Sequence, residues 1–125
     1  MKILLAVDGS SYTKKMLAYL AAHELFSPAN AYTAVTAQAA LPSQARAALG
    51  KALVQKYYED EALRVMAPVT KYLLRHGITA QCLWKTAKPG ELISKTATEG
   101  KFDLVVMGSH GHGAFLNLVM GSVAT

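Results

Sequence analysis

KILLAVDGSS, residues 2–11, decides the fold. Five apolar side chains follow one another from Ile3 to Val7 without alternation, and the run stops at Asp8-Gly9-Ser10. A short continuous apolar run closed by turn formers reads as a strand buried on both faces, which occurs where helices cover a parallel sheet on each side. Ser10 or Ser11 can cap a following helix, because a hydroxyl oxygen accepts from the unpaired N–H groups of the first turn. Met16, Leu17, Leu20 and Ala21 then recur at helical spacing, to about Leu25.

The same alternation continues outward. SPAN, residues 27–30, breaks the helix, and AYTAVTAQ, 31–38, reads as a second strand rich in Thr, Val and Tyr. From Ser43 to His76 a helical stripe runs through Leu49, Leu53, Ala62, Val65, Val69, Tyr72 and Leu73, with Glu59, Asp60 and Glu61 on the wet side. Pro68 is expected to kink or split that helix, and Gly77 to end it. ITAQCLWK, 78–85, is a third strand; Pro89-Gly90-Glu91 opens a short helix to about Thr98; Gly100 closes it, and FDLVVMG, 102–108, is a fourth strand. Strands alternating with helices imply right-handed crossovers and hence a three-layer α/β domain around an open parallel sheet. One such domain accounts for residues 1–125.

Composition narrows the classes of function. The chain is 52% hydrophobic and 17% charged, the balance of a packed soluble domain. No window reaches the eighteen or so uninterrupted apolar residues of a membrane span, so no membrane role is expected. The net charge of +5 comes from lysines and arginines scattered between Lys2 and Lys101, with no dense block and no interleaved aromatics, which argues against nucleic acid and for a mildly basic, solvated surface. Such a surface favours polyanionic small molecules. A single cysteine, Cys82, and the lack of a leader pattern at the amino terminus point to a reducing cytoplasm. Cys82, inside a strand-like segment, is expected to be a small buried hydrophobe.

Parallel sheets bind ligands at the carboxyl ends of their strands. Those ends carry Asp8-Gly9-Ser10, Ala37-Gln38, and a cluster of Gly108, Gly111 and Gly113 that is followed by Gly121-Ser122. Glycines let backbone N–H groups approach a phosphate closely, but they also follow strands for purely conformational reasons, so spacing alone leaves both readings open. The order of glycines is neither a Walker A loop, which needs a lysine after its last glycine, nor the dinucleotide fingerprint.

Together, KILLAVDGS, the PGELI segment, DLVVMGSHG and the pattern Gly108-x2-Gly111-x9-Gly121-Ser122 resemble the universal stress protein family, over nearly the whole chain. The resemblance implies a flavodoxin-like, adenine nucleotide alpha hydrolase-like fold and membership of the branch that carries the glycine motif and binds ATP. It implies Ala6, Val7 and Asp8 beside adenine and ribose, and Ala37 beside adenine. It further implies that Met107, Gly108, Ser109, His110, Gly111, Gly121, Ser122, Val123 and Ala124 hold ribose and phosphates. Asp8 is the candidate for Mg²⁺ arriving with ATP, an ion that seeks oxygen ligands; the competing role for Asp8 is an Asx-type turn or helix cap. Members usually have a final helix already running at GSVAT, 121–125, and continue through most of it and a fifth strand that commonly builds a homodimer. That strand is missing here, so truncation at the carboxyl terminus is expected.

Two histidines, His110 and His112, without a cysteine or carboxylate cluster, read as loop residues and not as a zinc site. No nucleophile elbow and no fixed general base is evident. The chain therefore reads as a nucleotide-dependent regulatory module and not as an enzyme, with slow ATP hydrolysis or autophosphorylation at Ser109 or Ser122 as the most that family analogy allows. The alternative is a dimeric stress-related interaction protein that binds no nucleotide.

Overall fold

The computed structural model describes residues 1–109 and 117–121, with side chains described as far as Met107. Its elements are β1 (Lys2–Ala6), α1 (Ser11–Ala22), β2 (Ala31–Gln38), α2 (Ser43–Leu49), α3 (Lys51–Arg75), β3 (Gln81–Thr86), α4 (Pro89–Glu99), β4 (Leu104–Ser109) and β5 (Asn117–Gly121). The sheet runs in the order β3-β2-β1-β4-β5. Its first four strands are parallel, and β5 pairs antiparallel with β4.

β1 is central and covered on both sides, as its unbroken apolar run requires. Leu4 and Leu5 are both 0% exposed although they point in opposite directions. Ile3, Leu5 and Val7 enter one core with Met16, Leu17 and Leu20 of α1 and Val65, Met66, Val69 and Leu73 of α3. Leu4 enters the other, with Val35, Leu92, Ala97 and Phe102. Handedness explains the partition. The chain steps outward from β1 to β2 to β3 through α1 and α3, and right-handed crossovers in one direction leave both helices on one face; the return from β3 to β4 puts α4 on the other.

The long helical stripe does break, but at Gly50 and not at Pro68. Gly50 has φ +84°, a left-handed conformation that ends α2 and starts α3. α3 runs unbroken through Pro68, which lies on its exposed side, where water can take up the carbonyl freed by the missing N–H. Val65, Met66, Val69 and Leu73 on either side of the proline are all buried against the sheet, so packing holds the two halves in one helix. Gly77, at φ +75°, ends α3 as expected.

The third strand begins at Gln81 rather than Ile78; Ile78 instead plugs the core below α3. β3 is an edge strand paired only with β2, and Cys82 on it is exposed, contrary to the expected burial. Partial desolvation still raises the pKa of its thiol above the ordinary range, which keeps the thiolate scarce.

At the opposite edge a strand occupies the side of β4, though not one that sequence periodicity identifies. A parallel partner needs a crossover of a dozen or more residues, and only seven separate Ser109 from Asn117, so the short apolar run NLVMG can pair only antiparallel. The helix expected after the fourth strand is thus not formed at 117–121.

Gly100, at the end of α4, admits no side chain: a Cβ there would overlap the Phe102 ring and meet the Thr96 carbonyl oxygen at 3.0 Å. Gly100→Ala should cost about 1–3 kcal/mol, read as a lower midpoint in urea denaturation, because the ring it displaces belongs to a core and cannot swing into solvent freely. Alkylation of Cys82 by iodoacetamide at about pH 8 should run slower than that of free cysteine and keep rising with pH beyond the ordinary thiol range.

Candidate functional site

Strand register collects the carboxyl ends at one edge of the sheet. Ala6 stands opposite Val35 on one side and Met107 on the other, and Val7 extends the ladder by donating its N–H to the Val35 carbonyl at 2.9 Å. With neighbouring strands about 4.8 Å apart, these three positions span roughly 10 Å. Val7, Asp8, Ala37, Gly108 and Ser109 follow directly on the same edge, where strand order reverses between β1 and β4.

The loop after β1 is built around the Asp8 carboxylate. Its Oδ1 accepts from the Ser10 N–H at 2.9 Å, the Ser10 hydroxyl at 2.6 Å and the Thr13 hydroxyl at 2.9 Å. The Thr13 oxygen in turn accepts from the Asp8 N–H at 3.1 Å, and the Ser10 oxygen caps α1 by accepting from Tyr12 N–H at 3.2 Å. Asp8 therefore makes the Asx-type turn, with one oxygen committed to it. Gly9 sits inside that turn at φ +77°, where a Cβ would stand 3.1 Å from Val65 Cγ2. Both the backbone angle and the close approach of α3 ask for glycine.

Two recesses flank the edge. One, of about 510 Å³, lies between the ends of β2 and β3 and is lined by Ala37, Ala39, Ala40, Thr86, Ala87, Lys88 and Pro89. Its walls are chiefly small apolar groups, with Lys88 at the rim, and the Ala87 N–H donating to the Gln38 carbonyl at 3.1 Å closes its base. The other, of about 260 Å³, has Asp8, Thr36, Ala37, Tyr57, Glu61 and Arg64 among its lining. There Glu61 grips the Arg64 guanidinium at 3.1 Å; the hydrogen bond and the carboxylate charge raise the arginine's pKa, so it stays cationic.

Of the residues singled out in the sequence, the structure brings together Ala6, Val7, Asp8, Ala37, Met107, Gly108 and Ser109. Gly121 lies elsewhere. It pairs with Val105, whereas Gly108 pairs with Leu118, which separates the two glycines by three register positions, about 10 Å along the strand. His110, Gly111, His112, Ser122, Val123 and Ala124 lie outside the described residues. Sequence reading missed Thr13, whose hydroxyl is buried at the core end of the loop, and Arg64, which only the docking of α3 brings to Asp8. A Thr three residues after a helix cap was a faint signal for the first; the second left none. Tyr58 was missed too, as was the tie that Gln38 makes to it. The Gln38 side chain donates to the Tyr58 carbonyl at 2.7 Å, and the Tyr58 hydroxyl accepts from Leu41 N–H at 2.9 Å, which ties the end of β2 to α3.

A β3-β2-β1-β4 parallel core, two helices on one face, one on the other, and small residues gathered where the strand order reverses define a doubly wound, three-layer α/β protein. The chain belongs to the universal stress protein family, whose model matches residues 1–125. Solved structures share the fold, among them two universal stress proteins. A universal stress protein family protein from Arabidopsis thaliana, with AMP bound, superposes with a TM-score of 0.66 at 14% identity, over 91% of this chain and 80% of that one. A universal stress family protein from Burkholderia pseudomallei gives 0.66 at 23% identity, over 87% of this chain and 81% of that one. No curated protein matches the chain. No helix among the described residues is long and apolar enough to cross a membrane.

Thr13 carries a test of the loop. Thr13→Val keeps the shape but leaves Asp8 without one donor and one acceptor, and should destabilise the protein by about 1–3 kcal/mol in chemical denaturation. Thr13→Ser should recover most of that loss.

Proposed function

We propose that this protein binds ATP at the carboxyl edge of its sheet and works as a nucleotide-dependent regulatory module of the stress response, in the cytoplasm and as a homodimer. One observation carries the reading: Ala6, Asp8, Ala37 and Gly108 converge at the strand-order reversal, beside a recess lined chiefly by small apolar groups. A planar base fits between such walls, as ligand pockets pair an apolar lining with a few polar groups. Met107, Gly108 and Ser109 then lead toward the phosphates, with the glycine loop that follows them supplying backbone N–H donors. AMP bound to the Arabidopsis relative supports the class of ligand.

Mg²⁺ is compatible with this arrangement as an ion carried by the phosphates. The described residues hold no group of three His, Cys, Asp or Glu side chains suited to a metal, and Asp8 already has one oxygen committed to its own loop. Most of the ion's oxygens would then come from the nucleotide and water.

The pairing of Gly121 with Val105 favours a second reading in one respect, since it holds that glycine away from Gly108. In that reading the loop is a turn and the family role rests on protein contacts. Calorimetric titration with ATP, ADP and AMP separates the two: saturable binding is expected, and heat of dilution alone for all three would remove the nucleotide reading. Gly108→Val should weaken ATP binding at least tenfold, about 1.4 kcal/mol. Gly121→Val matches that loss only if residues 121–124 reach the phosphates; unchanged affinity restricts the cradle to the loop after β4.

A further inference from the structure

Away from that edge, α1 and α3 lie side by side on one face of the sheet and leave between them an open groove of about 620 Å³. Its floor is apolar: Leu17, Val65 and Val69 are at most 7% exposed. Its rim is cationic. Lys14 stands on the α1 wall, and Arg64, Lys71 and Arg75 stand on the α3 wall at i, i+7 and i+11, spacing that puts all three on one stripe. That stripe is about 16 Å long at 1.5 Å per residue.

Glu61 offsets Arg64 at one end of the groove, and no acid further along either wall offsets the rest. Residues 11–22 and 62–76 contain no Asp or Glu. Arg64 is paired with Glu61 at the end of the groove, whereas Lys14, Lys71 and Arg75 make no ion pair among the described residues. The chain's modest overall charge thus conceals a concentrated basic rim around an apolar trough. Tyr72 lines the trough, and its ring packs 5.0 Å from that of His76, which in turn lies 5.4 Å from Phe26, so rigid aromatic surface continues past one end.

We propose that this groove docks an acidic amphipathic helix of a partner protein. The apolar stripe of such a helix fills the trough, and its flanking carboxylates meet Lys14 on one side and Lys71 and Arg75 on the other, the arrangement by which a helix is read in a groove. Cations on both walls, Lys14 on α1 and Lys71 and Arg75 on α3, suit carboxylates on either side of an apolar stripe better than the single head of an anionic amphiphile.

The test uses a fluorescein-labelled helical peptide about four turns long, with leucines on one face and glutamates beside them, and a twin carrying lysines for the glutamates. Anisotropy titrations should show the glutamate peptide binding at least tenfold tighter than its twin, more weakly as salt rises, and at least tenfold more weakly to Lys14→Glu/Lys71→Glu. Both substituted residues are exposed, and circular dichroism verifies that the variant folds. The proposal is overturned if the glutamate peptide does not saturate by about 1 mM, or binds the variant equally well. It is also overturned if phosphatidylserine vesicles bind while the peptide does not, which would assign the groove to a membrane surface.

Discussion

Burial of β1 on both faces is the constraint on which the rest of the structure depends. Five consecutive apolar residues cannot turn one side to water, so the strand must stand in the middle of a sheet with a helical layer above and below. Helices on both faces require crossovers, and right-handed crossovers place α1 and α3 together and α4 apart. A single stretch of sequence thereby dictates that all four parallel strands end at the same edge. The site is a consequence of the core.

At that edge, the loop that the proposed nucleotide would meet is fastened by its own side chains. Asp8 fastens the β1–α1 turn through three hydrogen bonds to one carboxylate oxygen, and Gly9 accepts the close approach of Val65. Such a loop is held in position before any ligand arrives. Its rigidity limits how far Asp8 can turn toward a sugar or an ion, and it also reduces the ordering that a ligand would otherwise have to bring about. The two helices on the other side of the turn contribute something different. α3 buries one stripe in the core and exposes a basic one beside α1, so one element shapes the recess at Asp8 through Arg64 and the cationic groove through Lys71 and Arg75.

Departures from sequence-based expectation share a cause. Pro68 was expected to disturb α3 because local chemistry forbids its hydrogen bond, yet four buried side chains around it keep the helix whole, while Gly50 breaks the stripe where no such packing opposes it. Cys82 was expected inside because its strand is apolar, yet strand order puts β3 at the edge. The segment at 117–121 pairs with β4 because that edge offers an unsatisfied ladder within reach, a fact invisible to periodicity. In each case a long-range relation outweighed a local preference.

What the sequence by itself determined is therefore the part governed by local pattern: the strand and helix alternation, the α/β class, the turn at Asp8-Gly9-Ser10, and the glycine pattern that marks the family. Those follow because burial periodicity and capping act within a few residues. Only the tertiary structure decided which ends meet. It set Ala37 and Met107 on either side of the Ala6 strand end, brought Arg64 to Asp8, left Gly121 opposite Val105, and gathered scattered lysines and arginines along one groove. The physical reason is that strand order and helix packing, not spacing along the chain, fix distances between residues far apart in sequence.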